Sequence, residues 1–125
     1  MTVLRAHELQ RHETPGGNVT TPLATPSRGA SDVRIIRQQQ APGGANPLHR
    51  HDREEIVLMS AGTVTITLDD ERVEAGAGDT VIVPSGVLHR IENAGAEPAE
   101  WLLELAADAR FFGADGTEMR PAWAM

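Results

Sequence analysis

Short β-branched and apolar runs separated by turn-forming residues dominate the chain from residue 31 to residue 106. Each run is about six residues long, and Gly, Pro, Asn, Asp or Ser follows it every 8–12 residues, which is typical of a β-sandwich or β-barrel. Long helical periodicity is absent between residues 31 and 95. The predicted strands cover residues 33–40, 56–59, 63–68, 72–75, 80–83, 87–92 and 100–106. The last of these is also compatible with a short helix on propensity alone.

The two ends of the chain differ from this middle part. Residues 1–30 are rich in Pro, Gly, Thr and Ser and are predicted to form an irregular N-terminal arm. Residues 107–125 contain Gly113, Gly116 and Pro121 and are predicted to form an irregular C-terminal tail, packed over the barrel or against a second subunit. A length of 125 residues suits one domain, whose barrel is expected over 31–106.

The residue types that are missing exclude several kinds of chemistry. All 11 basic residues are Arg, and the chain has neither Tyr nor Cys. A Schiff-base lysine, a thiolate nucleophile, a tyrosine acid and a thiolate metal site are therefore excluded. His, Asp, Glu, Arg, Ser, Thr and the amides remain for catalysis or binding.

Net charge and hydropathy limit the kinds of partner that this chain can bind. A formal charge of −7 argues against nucleic acid, because phosphate binding requires a cationic surface. No segment is apolar and long enough to span a bilayer, so no membrane is expected as a partner. The N-terminus lacks the apolar run of a signal peptide, and a cytoplasmic location is expected by default.

Five histidines are the main candidates for chemistry. His7 and His12 lie in the polar N-terminal segment and are expected to be solvated surface residues. His49 and His51 share one face if they lie on a strand, since alternate side chains point the same way. A His-x-His pair alone is more often a surface or hydrogen-bonded pair than a pair of metal ligands. His89 follows much later and needs a strand adjacent to that of the first pair.

A carboxylate near this pair requires a change in chain direction. On a straight strand Glu55 would be some 13 Å from His51, too far to share an ion. The polar residues Asp52 and Arg53 suit a turn there, which would carry Glu55 to an adjoining strand.

Two longer spacing patterns include these residues. The first runs from Gly43 through His49, His51 and Glu55 to Gly62, and the second runs from Gly78 through Pro84, Gly86 and His89 to Asn93. Together they resemble the two sequence motifs of the cupin superfamily, over about residues 31–106. The resemblance implies an all-β, cupin-type jelly-roll barrel of two antiparallel sheets and glycine turns at Gly43, Gly62 and Gly86.

The resemblance also implies a metal site. Its ligands would be His49, His51, Glu55 and His89, with Glu54 as the rival carboxylate; a cupin that has lost its metal is the alternative. This mixed N/O set suits one divalent transition metal, Fe, Mn, Ni, Co, Cu or Zn, without choosing among them. Glu55 is also a candidate catalytic base.

Strand parity suggests which residues line a ligand pocket. Val57 and Met59 share the parity of Glu55, and Gln38 and Gln40 share that of Ile36, so these four are candidate substrate-binding residues. Edge positions for the two amides are the alternative. Arg34, Arg37 and Arg90 are expected at the surface, although each is able to bind a carboxylate.

The resemblance implies a metal-dependent enzyme acting on a small polar organic molecule, with dioxygenase-type chemistry first because it is frequent in the family. The alternatives are a metal-dependent isomerase or lyase and a non-catalytic, metal-assisted small-molecule binding protein. A sugar-nucleotide epimerase has less support because the chain has no Tyr. A homodimer is expected, since a small barrel with a Pro-rich arm suits edge pairing between subunits.

Overall fold

The chain forms short β-strands joined by tight connections, and a computed structural model describes all 125 residues. The strands are β1 (His12–Thr14), β2 (Asn18–Ala24), β3 (Val33–Gln40), β4 (His49–His51), β5 (Glu55–Ala61), β6 (Thr63–Leu68), β7 (Glu71–Gly76), β8 (Thr80–Val83), β9 (His89–Glu92), β10 (Ala99–Ala106), β11 (Phe111–Gly113) and β12 (Glu118–Met119). Three short 3₁₀ helices lie at Ala6–Glu8, Pro26–Arg28 and Ala122–Ala124. The all-β prediction is confirmed.

The strands make two six-stranded antiparallel sheets. The first sheet has the order β1-β2-β3-β10-β5-β8, and the second has the order β12-β11-β4-β9-β6-β7. The edge strands of the two sheets form no ladder with one another. The sheets therefore do not close into the barrel that the sequence predicts. The architecture is a jelly roll of two facing sheets, with the apolar core between them.

Strand β10 shows why the sequence folds into this architecture. Its residues alternate between buried and half-buried, with Ala99, Trp101, Leu103 and Leu105 facing inward. A period of two buries one face of a strand, whereas a helix would scatter the same residues around its axis. The strand alternative for 100–106 is therefore the correct one, and β10 lies in the middle of the first sheet between β3 and β5.

A tight hairpin at Asp69 and Asp70 joins the strands predicted over residues 63–68 and 72–75. Leu68 pairs with Glu71, which leaves a two-residue loop between β6 and β7. Asp69 has a φ of 51°, and such left-handed backbone at the first loop position is typical of a hairpin turn that matches strand twist. The motif glycines Gly43, Gly62 and Gly86 also have positive φ, as expected.

The segment predicted as an irregular arm contributes two strands. β2 pairs with β3 from Asn18 to Ala24, and β1 pairs with β2 only from His12 to Thr14. Pro22 of β2 lies beyond the residues that pair with β1. Its missing N–H therefore breaks no hydrogen bond between β1 and β2. The turn-rich composition of 1–30 conceals this local strand preference.

The C-terminal tail likewise adds to the second sheet. β11 pairs with both β4 and β12, and Phe111 is the partner of His51 across that ladder. The sheets therefore extend beyond residues 31–106 at both ends. None of the helices has the length and apolar character needed to span a membrane.

Candidate metal centre

The candidate ligands come from both sheets. His49 and His51 are the first and last residues of β4, and His49 is the cross-strand partner of His89 on β9. These three histidines belong to the second sheet. Glu55 opens β5 in the first sheet and is buried on the inner face. The site therefore lies in the space between the sheets.

A bend after β4 makes this arrangement possible. Asp52 and Arg53 form the bend, as the sequence predicts. Asp52 Oδ1 accepts a hydrogen bond from the backbone N–H of Arg110 (2.7 Å), and the N–H of Gly86 donates to the carbonyl of His51 (2.8 Å). These bonds fix the direction in which the chain leaves β4 for β5.

The four side chains converge on one point. One ligand atom from each of His49, His51, Glu55 and His89 lies within 4.8 Å of all the others. Nε2 of His51 is 2.8 Å from Glu55 Oε2, and Nε2 of His89 is 3.6 Å from Glu55 Oε1. The His49 and His89 rings are 4.2 Å apart between centroids. This spacing is close enough for four ligands of a single ion.

The hydrogen-bond partners of the rings test whether a metal fits. Nδ1 of His49 donates to the carbonyl of Pro47 (2.7 Å), and Nδ1 of His89 donates to that of Val87 (2.9 Å). A carbonyl bond of this kind fixes the tautomer in metal-ligating histidines and leaves Nε2 free. Nε2 of His89 is buried without a hydrogen-bond partner. The same is true of Nε2 of His51, whose close contact with Glu55 lacks hydrogen-bond geometry.

These orphaned nitrogens fit a metal ion. Buried polar atoms normally have a partner, and the Nε2 atoms of His51 and His89, which lie beside the Glu55 carboxylate, have none. A cation at this point would be their partner, whereas Nδ1 of His51 is a third unpartnered nitrogen of the cluster. Three imidazoles and one carboxylate form a borderline N/O donor set that suits a divalent transition metal. Such an ion satisfies the histidine nitrogens without protonating them.

The electrostatics of the cluster keep His49 neutral and Glu55 ionised, and favour a proton on His89. Burial, together with the nearby His89, lowers the pKa of His49 to about 4, so its ring is neutral at neutral pH. Burial acts to raise the pKa of Glu55, but the imidazoles of His51 and His89 outweigh it and hold that pKa below its usual value. Burial acts to lower the pKa of His89, but the Glu55 carboxylate outweighs it and raises the pKa.

A cavity of about 830 Å³ adjoins the cluster. This volume falls within the range of small-molecule sites. His49, His51 and Glu55 line it, while His89 is fully buried. The apolar and aromatic lining residues come from both sheets and the C-terminal segment, and include Trp101, Leu103, Leu105, Phe111, Met119 and Trp123.

The candidate substrate-binding residues separate into two groups. Gln38 lines the cavity. Gln40 is buried beyond it, where its Nε2 donates to Asn18 Oδ1 (3.0 Å) in the first sheet and to the carbonyl of Ile91 (3.2 Å) in the second. Val57 and Met59 face inward as their parity predicts, but they pack in the apolar core and do not line the cavity. The alternation of residues along a strand predicts which face of the sheet a side chain lies on, but the cavity occupies only part of the inner face.

The arginines differ in their positions. Arg34 is buried, contrary to the surface expectation, and donates to the carbonyls of Ala107 (2.6 Å) and Ala109 (3.1 Å). Arg90 lies at the cavity wall, where Glu92 is 3.3 Å from its Nε. Arg37 faces outward from β3 and is half-buried.

The remaining candidates lie outside the cluster. His7 is exposed and His12 is half-buried in β1. Glu54 is exposed, whereas Glu55 is buried beside the histidines. The bend at Asp52 and Arg53 therefore directs the second of the two neighbouring carboxylates inward.

Several residues that line the cavity are not predicted from the sequence. The ring of Phe111 meets that of His51 edge to face, with centroids 4.6 Å apart, and stacks on Trp123 at 6.1 Å. Trp101 lines the opposite part of the cavity on β10. The parity of β10 could have placed Trp101 inside, but no local signal links the tail to His51.

Two facing antiparallel sheets with a three-histidine, one-carboxylate cluster between them define a jelly-roll protein with a candidate metal centre. The family described as "Cupin domain" matches residues 36–104, more than half of the chain. The chain therefore belongs to the cupin family.

Individual relatives agree with this assignment. Germin-like protein 3-8 of Oryza sativa subsp. japonica is 34% identical over 116 residues, covering 80% of this chain and 52% of that protein. Gentisate 1,2-dioxygenase of Ralstonia sp is 29% identical over 107 residues, covering 80% of this chain and 30% of the enzyme. The chain thus spans about half of the first relative and under a third of the second.

A solved structure supports the same fold. The polyketide cyclase RemF from Streptomyces resistomycificus superposes with a TM-score of 0.77, covering 87% of this chain and 81% of that one. At 17% sequence identity, this likeness concerns the fold alone.

Proposed function

We propose that this cupin is a metal-dependent enzyme that acts on a small organic molecule by dioxygenase-type chemistry. The observation that carries the proposal is the convergence of four ligand atoms within 4.8 Å beside a cavity of about 830 Å³. A site that only stabilised the fold would not need so large a space next to it.

The chain's own residues would hold the ion and orient the substrate. His49, His51, Glu55 and His89 would be the ligands of a divalent Fe, Mn, Ni, Co, Cu or Zn ion. When bound, such an ion supplies Lewis-acid or redox chemistry. Carbonyl bonds to His49 and His89 keep Nε2 of both rings available.

Glu55 is better suited to binding metal than to taking a proton. The neighbouring imidazoles hold its pKa below the usual value, and a carboxylate of low pKa is a weak base at neutral pH. An isomerase or lyase that relies on Glu55 as its base therefore has less support. The resemblance to gentisate 1,2-dioxygenase, over 30% of that enzyme, favours the oxygenase alternative.

The cavity walls suit a ligand with a substantial apolar part. Trp101, Leu103 and Leu105 line one side, and Phe111 and Trp123 line another. Apolar walls displace water from a bound molecule, and they bind aromatic or aliphatic groups by burial of surface. We propose small aromatic or aliphatic molecules with oxygen donor groups as the substrate class.

The test begins with elemental analysis of the purified protein and reloading with Fe²⁺, Mn²⁺, Ni²⁺, Co²⁺, Cu²⁺ or Zn²⁺. Each form is then incubated with catechols, hydroxy acids and β-diketones, while an oxygen electrode and mass spectrometry follow O₂ and product. We expect one metal and one substrate class to give O₂ uptake equal to product formed. His51→Ala, as the metal-site control, should give none.

Other outcomes would contradict the dioxygenase proposal. Turnover without O₂ uptake would indicate an isomerase or lyase. A ligand that raises the melting temperature strongly and is recovered unchanged with every metal would indicate a binding protein.

We also propose that the chain forms a homodimer through the outer face of the first sheet. Leu58 and Ile82 are 38% and 58% exposed on that face. Ile56 pairs with Ile82, and Leu102 pairs with Leu58, so the four apolar side chains are neighbours. A twofold axis would bring the same patch of two copies together and remove it from water.

A further inference from the structure

A row of polar residues crosses the cavity wall on the first sheet. Thr20 on β2 pairs with Gln38 on β3, and Gln38 pairs with Trp101 on β10. All three residues line the cavity. Because the three strands are adjacent, these side chains form one line across the inner face of the sheet.

The row presents one hydrogen-bond donor to the cavity. Thr20 Oγ1 donates to Gln38 Oε1 over 2.8 Å, which uses the acceptor of the amide and fixes its orientation. Gln38 is half-buried, and its amide Nε2 makes no hydrogen bond within the protein. Trp101 is 1% exposed and its indole Nε1 is fully buried, so a ligand in the cavity does not reach that nitrogen. A ligand oxygen that accepts from the Gln38 amide gains a hydrogen bond whose donor is already oriented.

Gln38 and its cross-strand partner Trp101 lie at a distance from the candidate metal centre. Glu104 on β10 pairs with Ile56 on β5, which places Leu105 beside Glu55. Trp101 is four residues from Leu105 on the same inner face, or about 13 Å along the strand. Leu103 lies between them and also lines the cavity. The wall is thus polar at both ends and apolar in the middle.

The charges around the cavity indicate what the Gln38 amide would bind. The lining arginines, Arg90 and Arg120, belong to β9 and to the segment after β12, on the opposite sheet. No cation lies in the row itself, and a carboxylate buried against one neutral donor would lose more hydration than that bond returns. The geometry favours a neutral oxygen acceptor.

We propose that the Gln38 amide, oriented by Thr20, forms a substrate subsite for a carbonyl or similar neutral oxygen. Its ligand is an elongated, largely apolar molecule whose other end carries the metal-binding oxygens. This inference rests on the proposed function, because the metal defines the second end of the ligand. It adds to that function the length and polarity pattern of the substrate.

Two probes that differ in one group test the subsite. 4-(3,4-Dihydroxyphenyl)butan-2-one has a catechol for the metal and a ketone on its chain, and in 4-butylcatechol a methylene replaces that ketone. Both are titrated calorimetrically, without O₂, into protein loaded with Zn²⁺, which is redox-inert. We expect the ketone to bind about tenfold more tightly, as one hydrogen bond would give.

Variants separate the subsite from the metal centre. Gln38→Met should lower the ratio of ketone affinity to 4-butylcatechol affinity toward one. Gln10→Met, at an exposed glutamine far along the chain, should keep the full ratio. Retained binding of 4-butylcatechol shows that a variant is folded and loaded.

The outcomes distinguish the two proposals. Equal affinities of the two probes for the wild-type protein, or a preference that survives Gln38→Met, would overturn the subsite while leaving the metal centre intact. A protein that retains no Zn²⁺ would overturn the proposed function and the subsite with it.

Discussion

His51 and Glu55 lie four residues apart in the chain, yet they face each other from opposite sheets with 2.8 Å between Nε2 and Oε2. A metal held by both would therefore join the two sheets directly. Binding at this position couples the site to the stability of the whole fold, because the sheets cannot separate while both ligands stay bound.

Metal binding should raise the melting temperature. At a free metal concentration 100 times its Kd, the gain is about 2.7 kcal/mol, which corresponds to about 10 °C for a domain of this size. Differential scanning calorimetry before and after treatment with a chelator measures the shift. His51→Ala should remove both the shift and the bound metal, whereas His12→Ala, outside the cluster, should keep both. Equal melting temperatures with and without metal would contradict a ligand role for these residues.

Metal binding should also release a proton near neutral pH. The Glu55 carboxylate raises the pKa of His89 in the metal-free protein, so this ring holds a proton to higher pH than a free histidine. A metal must displace that proton, so affinity should fall as the pH falls below this raised pKa. His49, with a pKa of about 4, releases none in this range. Titrations in buffers of different ionisation enthalpy measure the proton, and heats independent of the buffer would refute it.

Local features of the fold and the site follow from the sequence. The hairpin at Asp69 and Asp70 depends on two adjacent residues and their flanking strands, and the bend after His51 depends on neighbouring polar residues. Glu55 faces inward because the bend places it on a different strand from His51. A straight strand would have kept the two side chains too far apart to share an ion. Such features involve few residues, close together in the chain.

The register between strands that are distant in the sequence cannot be predicted from local residues in this way. The pairing of Gln38 with Trp101 joins strands that are distant in sequence, and nothing near either residue specifies it. The packing of Phe111 on His51 depends on where the tail joins the second sheet. Gln40 has the predicted parity, yet the cavity ends before reaching it. These relationships come from the packing of the complete chain.

The stability of the β6–β7 hairpin should be sensitive to substitution at only one of its two loop positions. Asp69 has a φ of 51°, whereas Asp70 is not in the left-handed region. A β-branched side chain is strained there, so Asp69→Val should lower the free energy of unfolding by about 1–2 kcal/mol. Asp70→Val should have a smaller effect. Urea denaturation of both variants measures the difference, and equal losses would contradict the assigned turn.

Arg34 should hold the tail onto the first sheet. Its guanidinium is buried, donates to the carbonyls of Ala107 and Ala109, and lies 5.3 Å from the ring centre of Phe111. Arg34→Met should lower the free energy of unfolding by about 3 kcal/mol, since two charge-assisted hydrogen bonds are lost. Hydrogen exchange should quicken over residues 107–111. Arg37→Met removes an outward-facing arginine that makes no side-chain hydrogen bond, and serves as the control; equal effects would contradict this role.

The outer face of the first sheet should control the oligomeric state. Ile82 and Leu58 are the exposed apolar residues of the patch proposed for the dimer. Ile82→Glu places a charge where two copies would meet, and a desolvated, unpaired carboxylate strongly disfavours association. Light scattering should give a dimer for the wild-type chain and a monomer of about 13.4 kDa for Ile82→Glu. Glu74→Gln, at an exposed position on the second sheet, should remain dimeric. A wild-type chain that is monomeric at all concentrations, or a variant that stays dimeric, would exclude this interface.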